Sequence, residues 1–170
     1  MEFYKGKDFN DFKKNWIQNE AKEGEVLTGT VKNIKPFGAF VELENGVIGL
    51  LHIEDISVSR IKSPEERFSI GQEIKVMIKS IDRKLNRIEF THKELLGTWE
   101  DNIVSYQEGE KVEGIIKETE KKKNGIFVEL KPNLVGLAEY KEGYEYGQKV
   151  NVYIKRIVKD KKKIKLLIVP

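Results

Sequence analysis

A pattern of glycines and β-branched residues occurs twice in this chain, in the same order, and that repeat constrains the fold more than any other feature. Gly24, Gly29 and Val31 recur as Gly109, Gly114 and Ile116, an offset of 85 residues. Gly38, Phe40, Val41 and Gly49 recur as Gly125, Phe127, Val128 and Gly136, an offset of 87. Gly71, Val76, Ile78 and Ile88 recur as Gly147, Val152, Ile154 and Ile164, an offset of 76. The second copy therefore gains two residues in its first turn and loses eleven in the stretch matching residues 52–70. Repetition of this kind marks one supersecondary block used twice. A chain of 170 residues has room for two small barrels, which need about 70 residues each.

Each block reads as strands. Ala39, Val41 and Leu43 alternate with Phe40, Glu42 and Glu44, the two-residue period of a half-buried strand. Glu44-Asn45-Gly46 predicts a tight hairpin turn, and Val47 to Leu51 the returning strand. Gly24 to Ile34 predicts a strand before them, with Leu27, Gly29 and Val31 on one face and Thr28, Thr30 and Lys32 on the other. Residues 54–70 are polar, contain Pro64 and read as loop with a short helical turn. Ile74, Val76 and Ile78 alternate with Glu73, Lys75, Met77 and Lys79. Asp82 to Asn86 is a turn, and Arg87 to Thr91 a fifth strand. Five antiparallel strands in so short a stretch predict a closed barrel.

Before the first block, residues 8–22 read as a helix. Asp8 is placed to cap it and Asp11 stands where a capping box carries its acid. Phe9, Phe12, Trp16 and Ile17 form an apolar stripe, expected to pack on the following barrel or else to dock a partner protein. Residues 94–107 lack alternation and read as an acidic linker with a short helix, with Trp99 expected to be buried between domains. The predicted architecture is all-β. Two tandem five-stranded barrels occupy residues 24–93 and 108–170, with a helical segment over 1–23 and a helical linker over 94–107.

Three ring side chains, Phe37, Phe40 and His52, fall within sixteen residues. Phe40 shares its parity with glutamates and so faces water. An exposed ring on a sheet with cations nearby is what single-stranded nucleic acid needs for stacking. The net charge of +3 is spread unevenly: zero over residues 1–24, +1 over 25–93, −3 over 94–106 and +5 over 107–170. Lys121-Lys122-Lys123 and Lys161-Lys162-Lys163 form two basic turns, which either track a phosphate backbone or are simply solvated. The chain has no cysteine, which excludes disulfides and thiolate metal sites and fits a reducing compartment. No apolar run approaches the roughly 18 residues of a membrane span, and the N-terminus has no signal-peptide core, so the expectation is a soluble cytoplasmic protein. Enzyme chemistry is disfavoured: only His52 and His92 are present, with no spaced metal set, phosphate-binding Gly-Lys loop or nucleophile triad.

The motifs in order are Gly-x-x-x-x-Gly-x-Val, Phe37-Gly38-Ala39-Phe40-Val41, Gly49-Leu50-Leu51-His52-Ile53, Gly71-Gln72-x-Ile74-x-Val76 and Ile81-Asp82. This series closely resembles the S-one (S1) RNA-binding domain, an OB-fold barrel named after the largest protein of the bacterial small ribosomal subunit. The resemblance covers residues 24–93 strongly and 109–168 more weakly. It implies an RNA face built from two aromatics on the second strand, a histidine after the third, and an aspartate and a basic residue around the last turn. Those positions are Phe37, Phe40, His52, Asp82 and Arg87 here. Phe rings and imidazole would stack on bases, Arg87 would meet phosphate, and Asp82 would orient Arg87 or accept a base N–H. Strand parity adds Lys32, Lys35, Lys75 and Lys79 as candidates for the same face. The second block departs from the pattern, with Asn124 where Phe37 stands, Glu139 where His52 stands and Val158 where Asp82 stands. It keeps Phe127 and the basic Lys163, which are weaker candidates.

The function expected is non-catalytic binding of single-stranded RNA, messenger or ribosomal, with the small ribosomal subunit as a candidate platform. No cofactor, metal, membrane or small-molecule substrate is expected. The alternatives are a protein-interaction or ribosome-docking module, and the accessory domain pair of a larger RNA-processing enzyme.

Overall fold

The computed structural model of the protein describes residues 7–122 and 124–170. Lys123, the third lysine of the first basic turn, lies outside the described residues, and so does the side chain of Asp8 with its expected cap. The chain divides into two compact units, one running up to Ile56 and resuming over Ile61–Leu95, the other made of Ser57–Arg60 and Leu96–Pro170. Each holds one closed five-stranded barrel.

The first unit contains helix α1 (Lys7–Asn19) and strands β1 (Val26–Lys35), β2 (Gly38–Leu43), β3 (Ile48–His52), β4 (Glu73–Asp82) and β5 (Arg87–Thr91). Around the barrel the order is β1-β2-β3-β5-β4, and β4 returns to β1. This is the expected OB-type barrel with one difference. Four of the five pairings are antiparallel, but β3 and β5 run parallel, joined only at Leu50–Glu89 and Leu51–Phe90. The segment between β3 and β4 crosses over the barrel, so β5 comes back alongside β3 in the same direction. That segment contains two short 3-10 turns, Ile53–Asp55 and Pro64–Glu66.

Alternation places Val31, Ala39, Val41, Leu51, Val76, Ile78, Ile88 and Phe90 inside, each 2% exposed or less. Gly49 on β3 makes room for the Phe90 ring, whose Cζ would lie 2.8 Å from a Cβ added there. Gly46, in the hairpin turn between β2 and β3, takes φ +86°, a conformation side chains resist. The alternation expected along the first strand breaks at Lys32. Val31 pairs with Val41 and Asn33 with Phe40, so Lys32 is the extra residue of a β-bulge. Beyond the bulge the parity reverses, so Ile34 packs on the core while Lys35 faces water. A second bulge lies at Lys79, between Ile78–Phe90 and Ser80–Glu89.

Helix α1 packs its stripe on this barrel: Ile17 is buried and Trp16 lies against the core, as does the buried Ala21 just beyond the helix. Its C-terminal end is tied to the β4–β5 turn. Arg83 donates from Nε to the Gln18 carbonyl (3.2 Å) and from Nη2 to the Ala21 carbonyl (3.1 Å), and the Gln18 amide donates to Asn86 Oδ1 (2.7 Å).

The second unit contains helix α2 (Trp99–Ile103) and strands β6 (Lys111–Glu120), β7 (Gly125–Lys131), β8 (Leu134–Glu139), β9 (Lys149–Val158) and β10 (Lys163–Val169). Its ring order repeats the first, with β8 and β10 as the parallel pair. The bulges repeat as well, at Lys117 and at Lys155. Thr98 and Asp101 form a capping box on α2. Trp99 is half-buried against the core of this second barrel. It lies four positions before Ile103, on the same helix face, and Ile103 is itself part of that core.

Candidate nucleic-acid interface

The strand register lines up side chains across the outer wall of the first barrel. One row runs Asn33 (β1), Phe40 (β2), Leu50 (β3), Glu89 (β5) and Ser80 (β4). The next row has Lys35, Gly38 and His52. Phe37 sits in the turn between β1 and β2 with half of its surface exposed (50%), held there because its carbonyl accepts the Ile53 N–H at 2.9 Å. Its ring meets the half-buried Phe40 edge-on, with centroids 6.1 Å apart and planes at 90°. Gly38 brings β2 and β3 close, since a Cβ there would fall 3.1 Å from the His52 Cα. His52 therefore lies diagonally across from Phe40 on the same face. Arg87, two residues from Glu89, is exposed and makes no hydrogen bond or ion pair among the described residues.

These five groups, Phe37, Phe40, His52, Arg87 and Lys35, share one wall. A base can stack on the rings while a phosphate meets Lys35 or Arg87. The residues match the family described as the S1 RNA binding domain over 20–93. Residues 20–93 belong to that family. The small ribosomal subunit protein bS1 of Staphylococcus aureus (strain COL) is 44% identical over 94 residues, covering 55% of this chain and 24% of that protein. The bS1 protein of a Synechococcus strain is 44% identical over 77 residues, covering 45% of this chain and 25% of its own. The chain thus spans about a quarter of the length of these relatives. Among solved structures, GSP13 from Bacillus subtilis is similar with a TM-score of 0.44 and 28% identity, over 46% of this chain and 61% of that one.

Within the S1 domain, four candidates read from the sequence sit differently from expectation. Asp82 is opposite Arg87 in register, but its Oδ1 accepts the backbone N–H groups of Lys84 and Leu85, both at 3.1 Å. It closes the β4–β5 turn, the ordinary use of an aspartate at a turn start, and makes no ion pair with Arg87. Lys79 is held by the buried carboxylate of Asp55, with Nζ 3.0 and 3.2 Å from its two oxygens. That hydrogen bond, opposed by desolvation, keeps the Lys79 ammonium above its ordinary value of 10.5. Lys75 is opposite Thr28 at the start of β1. It is five residues before Ser80 and so on the order of 15 Å along the strand from the aromatic rows. Lys32, at the bulge, lies 3.7 Å from Glu42 in an exposed ion pair.

One residue of the face was missed. Glu89 lies between His52 and Ser80, with Oε1 3.1 Å from His52 Nε2 and Oε2 accepting from Ser80 Oγ at 3.2 Å. Its parity with Arg87, two residues away on the same strand face, is the signal the sequence holds.

The second barrel presents the equivalent row as Glu118, Phe127, Leu137, Lys165 and Arg156. Phe127 is half-buried, and Lys163, Lys165 and Arg156 are exposed. Asn124, in the position of Phe37, has φ +51° in the lengthened turn, a left-handed conformation that asparagine tolerates far better than phenylalanine. Glu139 faces Gly125 as His52 faces Gly38. Among the described residues, no helix is long and apolar enough to cross a membrane.

Proposed function

We propose that the first barrel is a non-catalytic binding surface for single-stranded RNA, with bases stacked on Phe37 and Phe40 and against His52, and with Lys35 and Arg87 meeting phosphates. The observation that carries this reading is the pair of rings: one half exposed, the other half-buried, edge to face, on a wall that also carries a histidine and two free-standing cations. The membership of residues 20–93 in the S1 RNA binding domain family supports it. The bS1 name of the relatives supports a role in translation or RNA metabolism in the cytoplasm, on messenger or ribosomal RNA, with the small ribosomal subunit as platform. In the second barrel, Phe127 and Lys163 contribute more weakly, mainly through charge.

Titration of a fluorescent single-stranded RNA with the chain and with Phe37→Ala/Phe40→Ala, at several salt concentrations, tests the reading. The double substitution is expected to remove about 2–4 kcal/mol while the salt slope stays the same. Unchanged affinity that depends only on salt would move binding to the lysine-rich second barrel. No binding by either protein would leave a protein-docking role.

A further inference from the structure

The wall that carries the aromatic rings also carries a carboxylate, in the same row as Phe40. Glu89 stands between Leu50 and Ser80 in the row that begins with Asn33 and Phe40, two strands from Phe40 and so about 10 Å away. Its carboxylate is held on both sides, by His52 on Oε1 and by Ser80 on Oε2. A side chain fixed in this way does not swing aside when a ligand arrives. A carboxylate offers about four lone-pair sites, so those two partners leave two acceptor sites on a side chain that is 43% exposed.

That group has two consequences for an RNA strand lying on the wall. It repels phosphate, so the backbone keeps toward Lys35 on β1 and Arg87 on β5, and a base edge rather than a phosphate lies against the carboxylate. It also accepts N–H groups and offers none. Guanine is the base whose Watson–Crick edge presents two adjacent donors, N1–H and the N2 amino group. Uracil presents one N–H between two carbonyl oxygens, which a carboxylate repels. The second barrel provides the counter-example on the same framework. At the position of Glu89 it has Lys165, and across from it, at the position of Ser80, it has Arg156. The same row thus carries a carboxylate in the first barrel and two cations in the second.

We infer that Glu89 is a specificity-determining residue of the first barrel, selecting a guanine beside the base stacked on Phe40. The inference rests on the reading of this wall as an RNA surface. It is tested on the full chain with two uridine octamers, one carrying a single central guanosine, and with Glu89→Gln and Glu89→Lys beside the unaltered protein. The unaltered protein is expected to favour the guanosine octamer by about fivefold or more, the low end of a bidentate base contact. Glu89→Gln, which keeps the shape, should lose most of that preference. Glu89→Lys should bind both octamers more tightly, with a steeper salt dependence and no preference. Equal affinity of the unaltered protein for the two octamers, or a preference that survives Glu89→Gln, overturns the inference while leaving stacking on Phe37 and Phe40 intact. Absence of binding to either octamer overturns the RNA reading itself. Thermal melting of each variant confirms that the barrel is folded.

Discussion

The two barrels share strand order and the bulges at Lys32/Lys117 and Lys79/Lys155, and differ in where they put the same polar residues. In the first, Lys32 and Glu42 form an ion pair whose side chains are 51% and 36% exposed. In the second, the equivalent Lys117 and Glu129 lie 4.0 Å apart with only 4% and 5% of their side chains exposed, and the Tyr146 ring sits 4.9 Å from the Lys117 ammonium. The bulge residue is a lysine both times. What changes is the cover over it, supplied in the second barrel by part of the shortened connection between β8 and β9. At the other bulge both lysines are exposed, but Lys79 is tied to the buried Asp55 while Lys155 is not. A bulge fixes the direction of a side chain; the neighbouring connection decides whether that side chain is structure or surface.

The comparison can be broken most directly at the first bulge. Lys117→Ala removes the ammonium 4.0 Å from the buried Glu129 carboxylate and is expected to destabilise the second barrel by about 3 kcal/mol, whereas Lys32→Ala costs the first barrel less than about 1 kcal/mol. Denaturant melts with hydrogen exchange to assign each barrel read this out, and equal costs would undo the argument. A sharper test uses the matched glycines. A Cβ on Gly49 meets the rigid Phe90 ring and the Ile88 carbonyl at 2.9 Å, while one on Gly136 meets mainly the movable end of Leu166. Gly49→Ala should therefore cost about 3 kcal/mol and Gly136→Ala about 1 kcal/mol, the two ends of the overpacking range.

At the second bulge, Lys79→Ala is expected to cost about 1–2 kcal/mol, because the buried Asp55 loses its two closest contacts and keeps only the Lys93 ammonium 3.7 Å away, against no more than about 0.5 kcal/mol for Lys155→Ala. Where both variants are folded, RNA affinity should be unchanged by Lys79→Ala and reduced by Arg87→Ala. The smallest effect is alkaline. Lys79 is held above 10.5 by its bond to Asp55, so its contribution is complete below that value and is lost as pH rises through the folded-state value. Tyr106 is raised above 10.0 by burial, and the neutral phenol it favours is likewise lost on the alkaline side. Both barrels should weaken from about pH 10 upwards. Lys79→Met should remove the effect from the first and Tyr106→Phe from the second.

Most of the fold was legible because core positions alternate and the turns carry Gly, Asn and Asp. Val41, Val76 and Ile78 could be placed inside from parity alone. The bulges were not legible: a single extra residue leaves no period, yet it decides that Lys35 faces water and Ile34 does not. The aromatic half of the candidate face was readable because it lies on one hairpin. The remainder depends on distant partners. Asp55, which holds Lys79, sits in a segment without periodicity, 24 residues away. Asp82 satisfies a turn two and three residues ahead of it, a use that the residue type permits but the family resemblance obscured.

The parallel pairing of β3 with β5 has a kinetic side. Only two residue pairs join these strands, Leu50–Glu89 and Leu51–Phe90, and the partners are separated by roughly forty residues of chain. The rings of Phe37 and Phe40 and the imidazole of His52 are arranged by local hairpins, which form early. Glu89 and Arg87 reach them only when this distant seam zips shut. The wall is thus assembled late, like a cask whose last stave carries half of the lock. A strand of RNA laid across it would bridge the shortest seam of the barrel and slow its opening.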